Sequence, residues 1–210
     1  MKNKILAILA VLLTFGAVSA EAQMRRGASV GVDISSLTFK QELISVDQTV
    51  GPAAGLQYEL MFPGIGFGLD FGLAYAQRGA NLHLGDCRVW AADGFGNERA
   101  FLHYLQIPVH FRFKYTNLGG IEDVIAPFVY GGPEFSILFG HGSIKRNGQS
   151  ALKYAGGDLG IAAGGGVELF KRWQLSVSYT WGMTYSLKTR LLDDFSARNR
   201  TWSVRAVYFF

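Results

Sequence analysis

Cysteine is almost absent from this chain, which removes one common route to stability. Cys87 is the one thiol among 210 residues, so no internal disulfide can join distant segments. Charge is also scarce, at 17% of residues, and the formal net charge is only +4. Such a mild excess does not predict binding to nucleic acid. The four histidines lie on separate segments without metal-ligand spacing, so we expect no metal ion and no cofactor.

Long apolar runs are missing beyond the N-terminal stretch, which excludes ordinary membrane helices because these need roughly 20 apolar residues. The N-terminal stretch itself is different. Lys2 and Lys4 form a basic start, Ile5–Val18 supplies an apolar run, and small residues follow in an A-x-A cleavage pattern. This run is about 14 residues long, too short to span a bilayer. We therefore predict a signal peptide at residues 1–22 and a single domain at residues 23–210.

Glycine and aromatic residues are abundant instead, and many of them stand in alternating patterns. From Trp173 to Met183, large apolar residues alternate with small or polar ones. Successive side chains of a strand point to opposite faces, so such a segment has one apolar and one polar face. Eight segments alternate in this way, and the least regular contains Gly131–Pro133, where we expect a bulge that shifts the register. The eight segments are 28–35, 54–60, 67–76, 105–115, 126–139, 159–169, 173–183 and 202–210.

The apolar faces carry too much ring volume for the inside of a narrow barrel. An eight-stranded barrel has a lumen just filled by side chains, whereas Phe67, Phe111 and Trp181 are all large. Connections between the segments alternate between short and long, as in outer-membrane barrels. The sequence thus predicts an all-β fold, an eight-stranded antiparallel up-and-down transmembrane β-barrel that follows the signal peptide. We expect it to be integral to the outer membrane, with both termini periplasmic.

Charged residues on the inward faces need partners, because buried charges persist only when they are paired. We predict that they form a polar network that plugs the lumen. A proton or ion path is the alternative, which the narrow lumen disfavours. The places of His110 and Glu134 stay open. The predicted network comprises Asp33, Glu59, Asp70, Arg112, Lys114, Glu168 and Arg205.

Two stretches are distinctive, namely Tyr104–Tyr115, which begins YLQIP, and Ala126–Glu134, which reads APFVYGGPE. Together they resemble the PorT-like family of small outer-membrane β-barrel proteins. The resemblance implies a Bacteroidota-type barrel and, as an alternative function, an accessory of a secretion or surface-assembly system. The last residues, with Tyr208 and Phe210 at alternate positions, resemble the signal read by the barrel-assembly machinery. That machinery would then be a partner during biogenesis.

Motifs that could carry chemistry are few. His141-Gly142-Ser143 has the H-x-S spacing that resembles lipid A deacylase barrels, in which a histidine activates a serine nucleophile. The sequence offers no identifiable acid to orient this histidine. We favour a plain loop here and expect no enzymatic activity, with a lipid A-modifying enzyme as the lesser alternative.

The long loops carry the remaining candidates for binding. Their basic residues are either a solvated surface or contacts to phosphates of lipopolysaccharide and outer-membrane lipid. Trp90 and Phe95, which we expect to be exposed, are candidates for contact with an envelope protein partner. The chain as a whole is thus expected to be a structural or interaction barrel with a plugged lumen. The candidate lipopolysaccharide contacts are Lys145, Arg146, Lys153, Lys188 and Arg190, and Arg198 and Arg200 lie on or beside the same loop as the last two.

Overall fold

The computed structural model is built mainly of β-strands joined by turns and loops. The predicted signal peptide, residues 1–22, lies outside the described residues and stays a prediction. Within the described part, no helix is long and apolar enough to cross a membrane. The described residues are 23–41, 43–62, 66–115, 119–142, 144–146, 149–150, 152–189 and 196–210.

Strands account for nearly all regular structure in the described ranges. The exceptions there are one short α-helix, Arg88–Ala92, and two 3-10 turns, Leu84–Asp86 and Ile121–Asp123. In chain order the strands are β1 (Gln23–Phe39), β2 (Val46–Asp47), β3 (Thr49–Met61), β4 (Phe67–His83), β5 (Asn97–Lys114), β6 (Ile125–His141), β7 (Lys145–Arg146), β8 (Gln149–Ser150), β9 (Leu152–Tyr154), β10 (Gly157–Leu169), β11 (Trp173–Gly182), β12 (Leu187–Thr189) and β13 (Ser196–Phe209).

Eight long strands form a closed ring in which neighbours are antiparallel. The order around the ring is β1, β3, β4, β5, β6, β10, β11 and β13. Pairing of β1 with β13, from Gly27 opposite Phe209 to Phe39 opposite Ala197, closes the ring. Every strand of the ring is therefore hydrogen-bonded on both sides, which removes the open edges that hydrocarbon does not tolerate. The predicted eight-stranded antiparallel barrel is confirmed.

Alternation separates the two sides of the wall. On β5, Phe111 projects outward and is 68% exposed, whereas the next residue, Arg112, projects inward and is 2% exposed. Apolar side chains such as Val30, Leu56 and Trp202 are exposed on the outside of several strands. Because transfer of apolar surface out of water is favourable by about 25 cal/mol per Å², this outer wall suits a surrounding of lipid.

The two ends of the barrel differ, and we name them by their connections. The turn end holds the short connections, including the β10–β11 turn, where Phe170 (φ 51°) and Lys171 (φ 56°) adopt the left-handed conformation that is uncommon for residues other than glycine. Both ends of the described chain lie here, because the Phe210 N–H donates to the Arg26 carbonyl over 3.1 Å. The loop end holds the long connections.

Strands extend further toward the loop end than the sequence predicts. β4 continues past the predicted end at residue 76 to His83, and β5 begins opposite His83 at Asn97, before the predicted start at residue 105. The cause is a reversal of polarity. In this stretch inward residues such as Leu82 are apolar and fully buried, and the outward residues are polar. The pattern of outward apolar residues therefore ends before β4 and β5 reach the loop end.

An apolar core fills the loop end of the barrel. The short helix carries Trp90, which is completely buried, and the turn after it carries Phe95, which is 4% exposed. The prediction that these two side chains are exposed contacts for a partner is therefore wrong. This loop-end core comprises Leu37, Ala80, Leu82, Leu84, Trp90, Phe95, Ala100, Ile144, Leu152, Leu187 and Ala197.

The predicted bulge at Gly131–Pro133 is also wrong. The register between β5 and β6 is the same on both sides of this stretch, and its pairing with β10 is continuous. Pro133 lacks an N–H and so loses a single ladder bond, which requires no extra residue in the strand. The register between β5 and β6 shifts instead between His103 and Tyr104, nearer to the loop end.

Candidate functional site

Two layers of paired charges cross the lumen, and the one nearer the turn end is the larger. Lys114 Nζ lies 3.0 Å from Glu59 Oε1 and 2.8 Å from Glu168 Oε2. Arg112 bridges two carboxylates, Glu59 at 2.9 Å and Asp70 at 2.5 Å. We call this group the turn-side layer; it consists of Arg25, Glu59, Asp70, Arg112, Lys114, Glu168 and Gln174.

Glu59 on β3 is the centre of the turn-side layer. It is fully buried and contacts three cations, those of Arg25, Arg112 and Lys114. The Gln174 amide also donates to Glu59 Oε2 over 2.7 Å. Arg25 pairs with Glu168 as well. Three carboxylates therefore face three cations, and a neutral, hydrogen-bonded group of this kind can be buried without an uncompensated charge.

A second, smaller group, which we call the loop-side layer, lies nearer the loop end. Arg78 Nη2 is 2.5 Å from Glu134 Oε1, and Arg78 Nε is 3.5 Å from Asp33 Oδ2. Arg205 Nη2 lies 2.9 Å from Asp33 Oδ1. The Gln106 amide donates to Glu134 over 2.8 Å. Two carboxylates thus face two guanidinium groups, so this layer is neutral too.

The structure places all seven residues of the predicted network in the lumen and divides them between the two layers. Five belong to the turn-side layer, and Asp33 and Arg205 belong to the loop-side layer. Of the two residues left open, Glu134 joins the loop-side layer. His110 projects inward between the layers, and its ring centroid lies 5.2 Å from that of Tyr130.

Sequence reasoning missed two cations of these layers, Arg25 and Arg78. Both lie just outside the alternating segments from which the strands were predicted. Position parity is the signal that could have found them. Arg78 is even-numbered like the inward Asp70 on β4, and Arg25 is odd-numbered like the inward Asp33 on β1. Extending the alternation by a few residues would have placed both side chains inside.

A polar cavity of about 70 Å³ lies between the two layers. Its lining includes His110, Tyr130, Ser176 and Ser203, together with members of both layers. One water molecule needs roughly 10–15 Å³ of such space, so the cavity suits a few water molecules. A charged layer borders the cavity toward each end of the barrel, which confines this space to the middle of the lumen.

A third group of polar side chains crosses the lumen beyond the loop-side layer. The Asn199 amide nitrogen lies 2.7 Å from Asp158 Oδ2, 2.8 Å from Ser186 Oγ and 3.2 Å from Tyr104 Oη. Asp158 also accepts a hydrogen bond of 2.9 Å from the Thr184 hydroxyl. We call this group the Asn199 cluster. The loop-end core packs beyond it and completes the filling of the barrel.

Basic residues gather on one side of the loop end. Beyond Trp181, β13 pairs with β12 rather than β11, and β12 in turn pairs with β9. This topology makes Lys188 and Lys153 direct cross-strand partners, and both are exposed. The Arg198 guanidinium lies 4.6 Å from the centroid of the Tyr185 ring. We call this surface the cationic wall; it consists of Lys153, Lys188, Arg198 and Arg200.

Three of the predicted lipopolysaccharide contacts have side chains outside the described part of the structure. Lys145 and Arg146 form β7, which pairs with β8 in a separate small hairpin whose backbone alone is described. Arg190 lies outside the described residues. Among the candidates whose side chains are described, the structure places Lys153 opposite Lys188, with Arg198 and Arg200 beside them.

The H-x-S motif lies at the end of β6. The exposed His141 ring stacks on the Tyr154 ring with centroids 4.2 Å apart. The Tyr154 hydroxyl donates to the Gly142 carbonyl over 3.0 Å, and burial raises the pKa of Tyr154 to about 12, which keeps this donor protonated. Ser143 lies outside the described residues. In the part of the chain that is described, no three His, Cys, Asp or Glu side chains converge on a position for a metal ion.

The two residues of the predicted assembly signal lie on the outer wall at the turn end. The Tyr208 ring is tilted against the Trp173 ring, with centroids 4.8 Å apart. Phe210 is 67% exposed, and the Arg26 guanidinium lies 5.7 Å from its ring centroid. Aromatic residues at this level are typical of the girdles of outer-membrane barrels. Their role in assembly stays a prediction.

Comparisons with known proteins agree with this architecture. A family model described as outer membrane protein beta-barrel domain matches residues 20–188, and no curated protein matches the chain. The solved structure of OprG from Pseudomonas aeruginosa is 13% identical with a TM-score of 0.53, covering 90% of this chain and 95% of that chain. Ail, the attachment invasion locus protein of Yersinia pestis, is 16% identical with a TM-score of 0.49, covering 90% of this chain and 99% of that one. The likeness to OprG shows the fold alone, because the identity is low, and the likeness to Ail carries no argument. Because the family model matches well over half of its length, the chain belongs to the outer membrane protein β-barrel domain family and is an integral protein of the outer membrane.

Proposed function

We propose that this barrel is a structural or interaction protein with a closed lumen. One observation carries the proposal, namely the stack of groups inside the barrel. The turn-side layer, the loop-side layer, the Asn199 cluster and the loop-end core follow one another along the lumen. An ion that crossed the barrel would have to break several buried charge pairs, and loss of one partner of such a pair costs about 3–5 kcal/mol.

In this proposal the loop end faces the outside of the cell and both termini are periplasmic, as is usual for barrels with short periplasmic turns and longer outer loops. The cationic wall then stands at the level of the outer leaflet, where it contacts the phosphates of lipopolysaccharide. The opposite side of the loop end carries exposed carboxylates, among them Asp47 and Asp86, and offers a different surface to an envelope protein partner. Tyr208 and Phe210 contact the barrel-assembly machinery during biogenesis.

Single-channel recording tests the closed lumen. The full mature chain is refolded, its folded state is checked by the change in gel migration on boiling, and it is inserted into a planar lipid bilayer. We expect no stepwise conductance above the leak of the bilayer, whereas a porin in the same bilayer gives clear steps. Reproducible steps from the folded barrel would contradict the proposal.

A role as an accessory of a secretion or surface-assembly system is the second candidate, and the resemblance to PorT-like proteins supports it. The two stretches that carry the resemblance, Tyr104–Tyr115 and Ala126–Glu134, pair with each other on β5 and β6. They form part of the barrel wall, so they support a shared fold more strongly than a shared partner. Recovery of secretion components after chemical crosslinking in intact cells would favour this candidate.

We further propose that the protein has no enzymatic activity. The stacking of His141 on Tyr154, and the hydrogen bond from Tyr154 to the next residue of the motif, support a packing role for this turn. Lipid A extracted from cells that express the chain should keep its acylation pattern. A lost acyl chain that His141→Ala restores would instead identify a lipid A-modifying enzyme.

A further inference from the structure

A groove of about 460 Å³ runs along the outer wall where β10, β11, β13 and β1 adjoin. It forms because Gly165 and Ala206 present little or no side chain between larger apolar neighbours. Gly165 lies opposite Val177 on β11 and opposite Val129 on β6. The outward residues that line the groove are almost all apolar: Val30, Val32, Gly165, Val167, Leu175, Val177, Val204 and Ala206.

The groove lies in strand register beneath the cationic wall. On β13 and β11, Arg200 is opposite Trp181, Trp202 is opposite Tyr179, and Val204 is opposite Val177. The Tyr179 ring contacts both tryptophan rings, with centroids 4.6 Å and 4.8 Å away. At about 3.3 Å per residue, the step from Arg200 to Val204 is roughly 13 Å along the strand. One face of the barrel therefore presents cations, then an aromatic belt, then an apolar groove.

Three of the four cations of this wall have no carboxylate partner among the described residues, and the fourth, Arg198, contacts Tyr185. No described carboxylate pairs with Lys153, Lys188 or Arg200. Lys153 and Lys188 are directly opposite on neighbouring strands, an arrangement of like charges that is destabilising. An anion bound between them would offset this repulsion. The segment that follows β12, which contains Arg190, Asp193 and Asp194, lies outside the described residues.

The order of the three surfaces along the barrel, from cations through the aromatic belt to the apolar groove, indicates the chemistry of the ligand. Phosphate groups suit the cations, and an acyl chain suits a groove that opens sideways into the membrane. We propose that this face binds one molecule of a phosphorylated, multiply acylated lipid, the lipid A part of lipopolysaccharide, with its phosphates on the cationic wall and an acyl chain in the groove. The inference rests on the proposed function in one respect, namely that the loop end faces the outer leaflet.

Native mass spectrometry of the folded full chain in detergent tests the site. Diphosphorylated lipid A is titrated as the probe, and phosphatidylglycerol is the competitor, since it supplies one phosphate and acyl chains without the larger headgroup. We expect a one-to-one complex with lipid A that phosphatidylglycerol displaces only in large excess. Equal competition by phosphatidylglycerol would overturn the assignment to lipid A.

Two variants separate the phosphate contact from the acyl contact. Arg200→Gln with Lys188→Gln should weaken lipid A binding roughly 25-fold, about fivefold for each cation near the membrane surface. Arg88→Gln is the matched control, because it removes an exposed cation from the short helix. Ala206→Phe should weaken binding by filling the groove, whereas Val109→Phe, an outward substitution on β5 away from the groove, should not.

The outcomes distinguish this inference from the proposed function. If the charge variants weaken binding no more than Arg88→Gln, the phosphate site is overturned. If Ala206→Phe behaves like Val109→Phe, the acyl groove is overturned. Weak lipid A binding by a barrel that conducts no ions would remove this inference and the proposed contact of the cationic wall with lipopolysaccharide, and would leave the closed lumen standing. Stepwise conductance by a barrel that still binds lipid A would remove only the closed lumen.

Discussion

The inside of the barrel changes from ionic to apolar along its length, and the outside changes in the opposite sense. Near the turn end, buried charges around Glu59 fill the lumen while Phe111 and its neighbours form an apolar outer wall. At the loop end, Trp90 and other apolar residues fill the same ring of strands. Polar residues such as Asn81 and Arg200 occupy the outer wall there.

The medium around each region explains the contrast. Lipid surrounds the wall of the barrel toward the turn end, so the outward residues there must be apolar. The small space inside is filled by neutral sets of paired charges. Water surrounds the loop end, where burial of apolar surface again favours an ordinary hydrophobic core. One closed sheet therefore holds two regions that are stabilised by different forces. We expect substitutions in the two regions to destabilise them separately and to give different measurable effects.

The largest effect is expected from breaking the turn-side layer. Glu59→Gln keeps the size of the side chain but leaves three cations with one carboxylate fewer, so the free energy of unfolding should fall by about 3–5 kcal/mol. Urea unfolding of the barrel in lipid vesicles measures this. Asp93→Asn, at an exposed turn of the loop end, is the control and should change the value by less than about 0.5 kcal/mol. An equal effect of both substitutions would mean that the layer contributes nothing to stability.

A local effect is expected from the loop-end core. Trp90→Ala removes a completely buried ring, and truncations of this kind cost about 3–5 kcal/mol where the site cannot collapse. We expect faster proteolysis between Leu84 and Gly96, with no loss of the gel shift on boiling, because both charge layers remain. Val89→Ala, on the exposed side of the same helix, should leave the cleavage rate unchanged. Loss of the gel shift in the Trp90 variant would show that the two regions unfold together.

The smallest effect concerns the pH dependence of the contact between His83 and Asp47 at the loop end. A hydrogen bond from His83 Nε2 to Asp47, 2.9 Å long, raises the pKa of His83, which stands at the loop end on the strand that pairs with β2. Because the pKa of His83 is raised in the folded state, the stabilisation from the His83–Asp47 hydrogen bond is fully present below the ordinary histidine pKa of about 6.5. It is lost as pH rises through the folded-state pKa. Asp47→Asn should therefore lower the pKa of His83 in an NMR titration. Asp93→Asn should leave it unchanged, and an equal shift in both variants would rule out the pairing.

Alternation carried most of the fold prediction, because its period of two residues is a local property of a strand. The eight strands could be read from it, and so could the inward positions of charges such as Glu59 and Lys114. Which charges meet could not be read in the same way. Glu59 and Lys114 are 55 residues apart in sequence, and only the closure and stagger of the ring bring them to 3.0 Å.

The sequence by itself determined that this chain closes into an eight-stranded membrane barrel, since lipid imposes a simple apolar-out pattern that extends through most of each strand. The tertiary structure decided what lies beyond the lipid. Trp90 and Phe95 are inside because β4 and β5 continue past the membrane with their polarity reversed. Lys153 and Lys188 are neighbours because β9 and β12 add to the sheet at that level. Both results depend on contacts between distant segments, which no local pattern of residues contains.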